Sequence, residues 1–307
     1  MRRDASVCID TNVSVYLDRS SRGALASGME DASDTLFVNQ RFDGDGLVGI
    51  RFSQCTFANV SFKDVTLRDC HFSACVFEGC YFRGTTIRET HFPASRFVDC
   101  EFTKPVILDS GFSYSRFRGS VIPYQSLEGS LPGQANVCRD LTASLAVEAG
   151  VLGRDRDARG YRLKSIEMNE LALWRGVTWA DQYSEDHYPS DLQRVAALVR
   201  FLLSKASGAV WGYGESIGRL LVNLILIAGL VWPLLFLLAR DHLHKPGGVT
   251  VGDCWALSFA SVLNSSSTAG TSATGVALAL VLAETAIGLV LFGLFVVYVF
   301  RSITRRG

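Results

Sequence analysis

The sequence predicts a multidomain membrane protein: an N-terminal domain of short repeats, an α-helical linker, and a C-terminal hairpin of two membrane-spanning helices. Three observations carry this. Apolar residues recur every five positions from Phe52 to Leu127 without a gap, a period that is sought before any helix or strand is assigned. Two apolar runs, Leu220 to Ala239 and Gly275 to Phe300, reach the ~20 residues needed to cross a bilayer. Between them lies a shorter apolar segment that cannot cross.

Residues 1–40 are polar and rich in Ser, Ala and Gly, and two readings stay open for them, a low-order lead or a capping strand. The repeat follows over 41–130, with Phe52, Phe57, Phe62, Leu67, Phe72, Phe77, Phe82, Ile87, Phe92, Phe97, Phe102, Ile107, Phe112, Phe117, Ile122 and Leu127 in phase. Two positions before each stands a small or compact residue, among them Cys55, Val60, Cys75, Thr85, Ser95 and Ser115. The pattern resembles the pentapeptide repeat. That resemblance implies a right-handed quadrilateral β-solenoid with the large and the small residue both pointing inward. Four units per coil would stack residues twenty apart at about the ~4.8 Å strand spacing. The sequence sorts itself accordingly: Phe52/Phe72/Phe92/Phe112 and Phe57/Phe77/Phe97/Phe117 are purely aromatic, Phe62/Phe82/Phe102/Ile122 nearly so, and Leu67/Ile87/Ile107/Leu127 purely aliphatic.

Charge and cysteine content narrow the function. With 30 basic and 30 acidic residues the net charge is +0, so no nucleic-acid partner is expected. Some pentapeptide-repeat proteins are acidic DNA mimics, and a nearly neutral solenoid argues against that role. Of the 8 cysteines, Cys55, Cys70, Cys75, Cys80 and Cys100 take the small inward position, and no Cys-x-x-Cys pair exists. They read as inert fillers, with a redox-sensitive stacked pair (Cys55 over Cys75, or Cys80 over Cys100) as the alternative. His71 and His91 stack on the outside as a solvated pair, the alternative being a metal site. No cofactor, metal site or catalytic residue is expected. The start, Met1-Arg2-Arg3-Asp4, lacks a following apolar core, so no signal peptide is expected and the soluble part should stay in the cytoplasm.

A helical linker is predicted over 131–216. Leu131-Pro132-Gly133 breaks the chain, and Leu141 to Leu152 and Asp155 to Trp174 read as helices. In the second, Tyr161, Leu163, Ile166, Met168, Leu171 and Trp174 form the apolar face. Ser190-Asp191 can cap a third helix lined on one side by Leu192, Val195, Ala196, Val199, Leu202 and Leu203. That helix would lie on the inner membrane surface or pack as a collar among subunits. Trp211-Gly212-Tyr213-Gly214-Glu215 has the letters of a potassium filter but precedes the first span; it reads as a glycine turn.

Residues 217–307 form the two-span module. The first run has no charge and the second has only Glu284. Asp253 to Leu263 can form a helix capped by an acid, too short to span and able to re-enter. Asn264 to Gly275 is small and polar, tolerable in a bilayer only where it lines water. Span, half-helix, polar loop and span resemble the pore module of tetrameric two-transmembrane cation channels. The chain as a whole resembles bacterial pentapeptide-repeat proteins carrying a C-terminal two-transmembrane ion-channel module, with a re-entrant pore helix.

This resemblance implies a homotetramer in a lipid bilayer passing inorganic ions. Leu263, Asn264, Ser265, Ser266, Ser267 and Thr268 would form the pore loop and filter, Asp253, Trp255 and Phe259 the pore helix. Glu284 and Gly288 would be the acid and hinge of the second span, and Phe292, Phe295, Val296 and Phe300 the inner gate. The Thr-Val-Gly-Tyr-Gly filter is absent, so a neutral, hydroxyl-rich ring with weak discrimination is expected. For Glu284 three roles stay open: packing behind the loop, lining the ion path, or a protonated spectator. Arg200, Lys205 and Arg219 before the first span, and Arg301, Arg305 and Arg306 after the second, favour an inner-membrane protein with both termini cytoplasmic. The rival function is a membrane-anchored interaction scaffold without conduction. An enzyme is not expected, because no nucleophile–base pair, metal spacing or phosphate-cradling loop is present.

Overall fold

The computed structural model describes residues 14–16, 31–42, 46–178, 190–263 and 270–304. The chain divides into two compact units, Met1–Leu198 and Val199–Gly307.

The first unit is built on a β-solenoid. Strands of two to four residues pair in parallel with a shift of twenty, placing Phe57 beside Phe77, Ile87 beside Ile107 and Phe52 beside Phe72. The four sides follow from the pairing. One is a six-stranded sheet that includes Thr56–Ala58 and Val76–Glu78, one has four strands and one has three. On the fourth side Arg41, Ser61, Tyr81 and Glu101 are linked by isolated bridges. Stacking begins before Phe42: Thr35–Val38 joins the six-stranded sheet at the same shift and Ser14–Tyr16 pairs with it at a shift of 21, and Phe37 lies under Phe57 with ring centroids 4.8 Å apart. Leu47 and Phe42 keep the same phase.

Turning a corner every five residues demands a left-handed backbone. The residue two after each inward large residue supplies it, with positive φ at Asn59, Asp64, Asp69, Asp99 and Asp109 and at Gly79, Gly84 and Gly119. Asn, Asp and Gly tolerate that region best, which explains their recurrence at this phase.

Inside, the phenylalanines form columns of nearly parallel rings, as in Phe72 over Phe92 at 4.9 Å and 4°. Neighbouring columns meet edge to face, as in Phe77 against Phe92 at 5.9 Å and 67°. Both arrangements suit the ring quadrupole and add ~0.5–1.5 kcal/mol per pair to the burial itself. The small inward residues also hydrogen-bond. Ser95 Oγ donates to Phe72 O at 2.7 Å and accepts from Cys75 N at 3.2 Å; Thr85 Oγ1 donates to Phe62 O at 2.7 Å. Buried thiols occupy the same slots, Cys75 Sγ donating to Phe52 O and Cys100 Sγ to Phe77 O. Burial pushes the Cys70 thiol up. Within the two stacked pairs the hydrogen bond between the thiols, together with burial, pushes Cys75 and Cys80 up, while the same bond pulls their partners Cys55 and Cys100 down.

Helices close the end of the coil. After the short helix α1, Tyr124–Leu127, come α2, Ala135–Val151, and α3, Asp155–Thr178. Leu141, Leu145, Ala149, Ala158 and Tyr161 join the solenoid's own core. The open backbone of the last coil is satisfied there. Glu148 Oε2 accepts from Gly119 N at 2.8 Å and Asp157 Oδ1 from Tyr124 N at 2.9 Å. Arg154 donates to Val121 O at 3.0 Å, and Tyr161 Oη donates to Ile122 O at 2.8 Å. A solenoid end left bare would invite edge pairing, and this cap blocks it. The face predicted for α3 needs correction. Tyr161 is buried, but Leu163, Ile166, Met168 and Leu171 are half-buried and Trp174 is exposed, while Ala158, Glu170 and Leu173 are buried. The helix touches the solenoid core through its first turns, so position along its length decides burial more than any continuous stripe.

Helix α4 is Asp191–Trp211, with Ser190 Oγ accepting from Gln193 N. Its predicted apolar side is exposed at Leu192, Val195, Val199, Leu202 and Leu203. The second unit continues with α5, Ile217–Leu238, then α6, Val251–Val262, and α7, Gly275–Thr304.

Candidate functional site

The hairpin begins at an elbow. Gly212, Tyr213 and Gly214 all have positive φ, so the two glycines are there for the backbone conformation. The Tyr213 ring lies against Gly208, where a Cβ would stand 2.5 Å from a ring atom. Asn223 Nδ2 donates to Ala209 O and Val210 O, each at 2.9 Å, and Arg219 donates to Gly208 O at 3.2 Å. The Asn223 amide thus serves two carbonyls in the last turn of α4, while Arg219 is a second donor to Gly208 O, which also accepts from Gly212 N at 3.1 Å.

Within α5 the helix widens to a π turn over Ile227–Val231, where Trp232 N–H reaches Ile227 O. In that register the next carbonyl, Ala228 O, would accept from residue 233. Residue 233 is proline and has no N–H. The orphaned oxygen is met from outside the helix, by Ser258 Oγ of α6 at 2.9 Å.

Helix α6 is seated against both long helices. A capping box starts it: Thr250 Oγ1 accepts from Asp253 N, and Asp253 Oδ2 accepts from Thr250 N at 2.8 Å. Thr250 is therefore the N-cap, and Asp253, expected as the capping acid, lies inside the first turn. Lys245 Nζ donates to Asp253 Oδ1, and this bond, reinforced by those from Thr250, holds the carboxyl down at about 2. On the α7 side, a Cβ on Gly288 would stand 2.7 Å from Val262 O, so only glycine admits the end of α6 so closely. One turn earlier Glu284 is buried, with Oε1 in hydrogen-bond contact with Ser258 Oγ and Oε2 without a partner. Leu243 pairs with Ala273 and His244 with Ser272, tying the connecting segments together.

The remaining predicted site residues are placed as follows. Trp255 and Phe259 are on the outward side of α6, 50% and 48% exposed, and Leu263 is exposed at its end. Asn264, Ser265, Ser266, Ser267 and Thr268 lie outside the described residues. Phe292, Val296 and Phe300 are exposed on α7, and Phe295 is half-buried. Glu284 and Gly288 converge on α6. Sequence reasoning missed Ser258, Ala228 and Pro233. The available signal was Pro233 within an apolar span, since such a proline frees a carbonyl that another group must satisfy.

On the solenoid, His71 and His91 line an open groove of about 390 Å³ with Arg51, Asp69 and Glu89, their ring centroids 6.3 Å apart. Among the described residues no three His, Cys, Asp or Glu side chains converge to hold a metal.

Residues 50–127 match the family described as pentapeptide repeat region, and the chain carries a pentapeptide-repeat β-solenoid domain. A comparison with curated proteins found no match. Among solved structures it is similar to two trypsin-treated forms of QnrB1, a plasmid-mediated fluoroquinolone resistance protein, both at 16% identity. The first likeness covers 30% of this chain and 48% of that one with a TM-score of 0.19; the second covers 37% and 74% at 0.23. HetL, a pentapeptide repeat protein involved in heterocyst differentiation regulation from the cyanobacterium Nostoc, is 10% identical over 32% of this chain and 44% of that one, at 0.17. The chain thus spans about half the length of the first QnrB1 structure. Likeness at this level says nothing of what the chain binds.

Proposed function

We propose that the chain is a membrane-anchored pentapeptide-repeat interaction protein, its repeat domain (41–130) held at the inner face of the cell membrane by the hairpin (217–307). The observation that carries this is the outward aim of the apolar side chains in that hairpin. Of the most apolar stretches of Ile217–Leu238 and Gly275–Phe300, only 28% and 17% are buried within the molecule. Leu221, Val222, Ile225, Leu230 and Leu234 are exposed on the first helix, and Leu282, Leu289, Val290 and Phe292 on the second. Core helices of a water-soluble protein bury such residues; helices facing lipid do not. The basic residues flanking the two spans favour both termini inside. The solenoid then offers a docking surface of mixed charge to another protein, its neutral balance disfavouring nucleic acid.

A second reading is favoured by α6. An anchor has no need of a capped half-helix seated between two spans, whereas an ion-conducting homotetramer does, with residues 263–268 as the pore loop and Phe292, Phe295, Val296 and Phe300 as the gate. Reconstitution of the full-length protein in planar bilayers, with reversal potentials under KCl and NaCl gradients, separates the two. The scaffold reading predicts no currents and no phenotype from Asn264→Ala or Ser266→Ala. Single-channel currents altered by those substitutions would establish the pore.

A further inference from the structure

We propose that Glu284 carries a proton inside the hairpin and that this proton locks α6 into its seat, so that Ala228, Ser258 and Glu284 form a proton-binding clasp. The inference rests on counting hydrogens. Ser258 Oγ has one hydrogen and lies in hydrogen-bond contact with two oxygens, Ala228 O and Glu284 Oε1. Ala228 O has lost its backbone donor to the π turn and Pro233, so it takes the serine hydrogen. The contact between Ser258 Oγ and Glu284 Oε1 then has no hydrogen unless the carboxyl supplies one. With the acid form the chain closes: Glu284 donates to Ser258, and Ser258 donates to Ala228 O.

The surroundings agree. Glu284 Oε2 is buried without a partner, an arrangement far costlier for a carboxylate than for a neutral acid. No charged side chain faces it from the packed elements: residues 220–238 of α5, residues 254–262 of α6 and the rest of α7 to Phe300 contain none. Cys254, one turn before Ser258, is the titratable neighbour on α6, and Asp253 is engaged by Lys245 at the start of that helix. Loss of the proton leaves a carboxylate against a hydroxyl already committed elsewhere, and α6 is released. The clasp requires the hairpin but holds with or without conduction.

Infrared difference spectroscopy of the full-length protein in lipid vesicles tests it. The C=O band of a protonated carboxyl, isolated as wild type minus Glu284→Gln, is expected at neutral pH. Pro233→Ala restores an N–H for Ala228 O and frees the serine hydrogen for the carboxylate, so the band weakens or disappears in that variant. Alkylation of Cys254, localised by mass spectrometry, reports the seat. It should rise severalfold more with alkaline pH in wild type than in Glu284→Gln, whose amide can donate as the acid does. Equal protection of Cys254 in the two proteins at neutral pH shows that the variant is folded. Absence of the band in wild type, full band strength in Pro233→Ala, or the same pH response of Cys254 in wild type and Glu284→Gln overturns the proposal.

Discussion

A single inward serine shows what the five-residue period conceals. Ser95 serves two backbone groups, Phe72 O and Cys75 N, both inside the coil. Ser95→Ala should therefore cost ~1–3 kcal/mol, the penalty for stranding buried polar groups, and lower the denaturant midpoint. Ser95→Cys, which retains a weak donor as Cys75 and Cys100 do, should cost less. The size of these residues is legible in the sequence because the period repeats it. Their hydrogen bonds are not, since the partner stands 23 residues away along the chain. At the head of α6, Asp253 titrates below its usual range because Lys245 bonds it. Its ionised form is favoured in the folded protein, so its contribution is present above ~4 and is lost as pH falls through about 2. Lys245→Ala should raise the Asp253 inflection toward ~3.9, read from the carboxyl ¹³C shift against pH.

At the scale of elements, packing decides where the sequence was readable. The phenylalanine columns were legible because one residue type repeats at one phase, and Phe57, Phe77 and Phe97 stack as that phase requires. The face of α3 was not, because its contact with the solenoid lies at Ala158 and Tyr161 near one end. Tyr161→Phe removes the donor to Ile122 O inside that contact and should destabilise the solenoid by ~1–3 kcal/mol, seen as a lower unfolding temperature. In the hairpin, the pairing of Glu284 with Gly288 on one face was legible from their spacing of four, but their partners were not. Ser258 and Val262 belong to another helix, and nothing in α7 names them. Gly288→Leu should unseat α6, because its side chain would occupy the space of the Val262 backbone. Increased alkylation of Cys254, now buried, would report it.

For the whole molecule, the two units present opposite surfaces. The solenoid buries its apolar residues and turns mixed charge outward, while the hairpin turns Leu221, Ile225, Leu282 and Val290 outward. The first suits water and a protein partner; the second suits lipid. Alkaline carbonate extraction of membranes from cells producing the full-length protein tests that division most directly. The anchored account predicts that the chain stays with the membrane pellet and floats with lipid, while a variant ending before Ile217 is released. Recovery of the intact, folded full-length chain in the carbonate wash would contradict it.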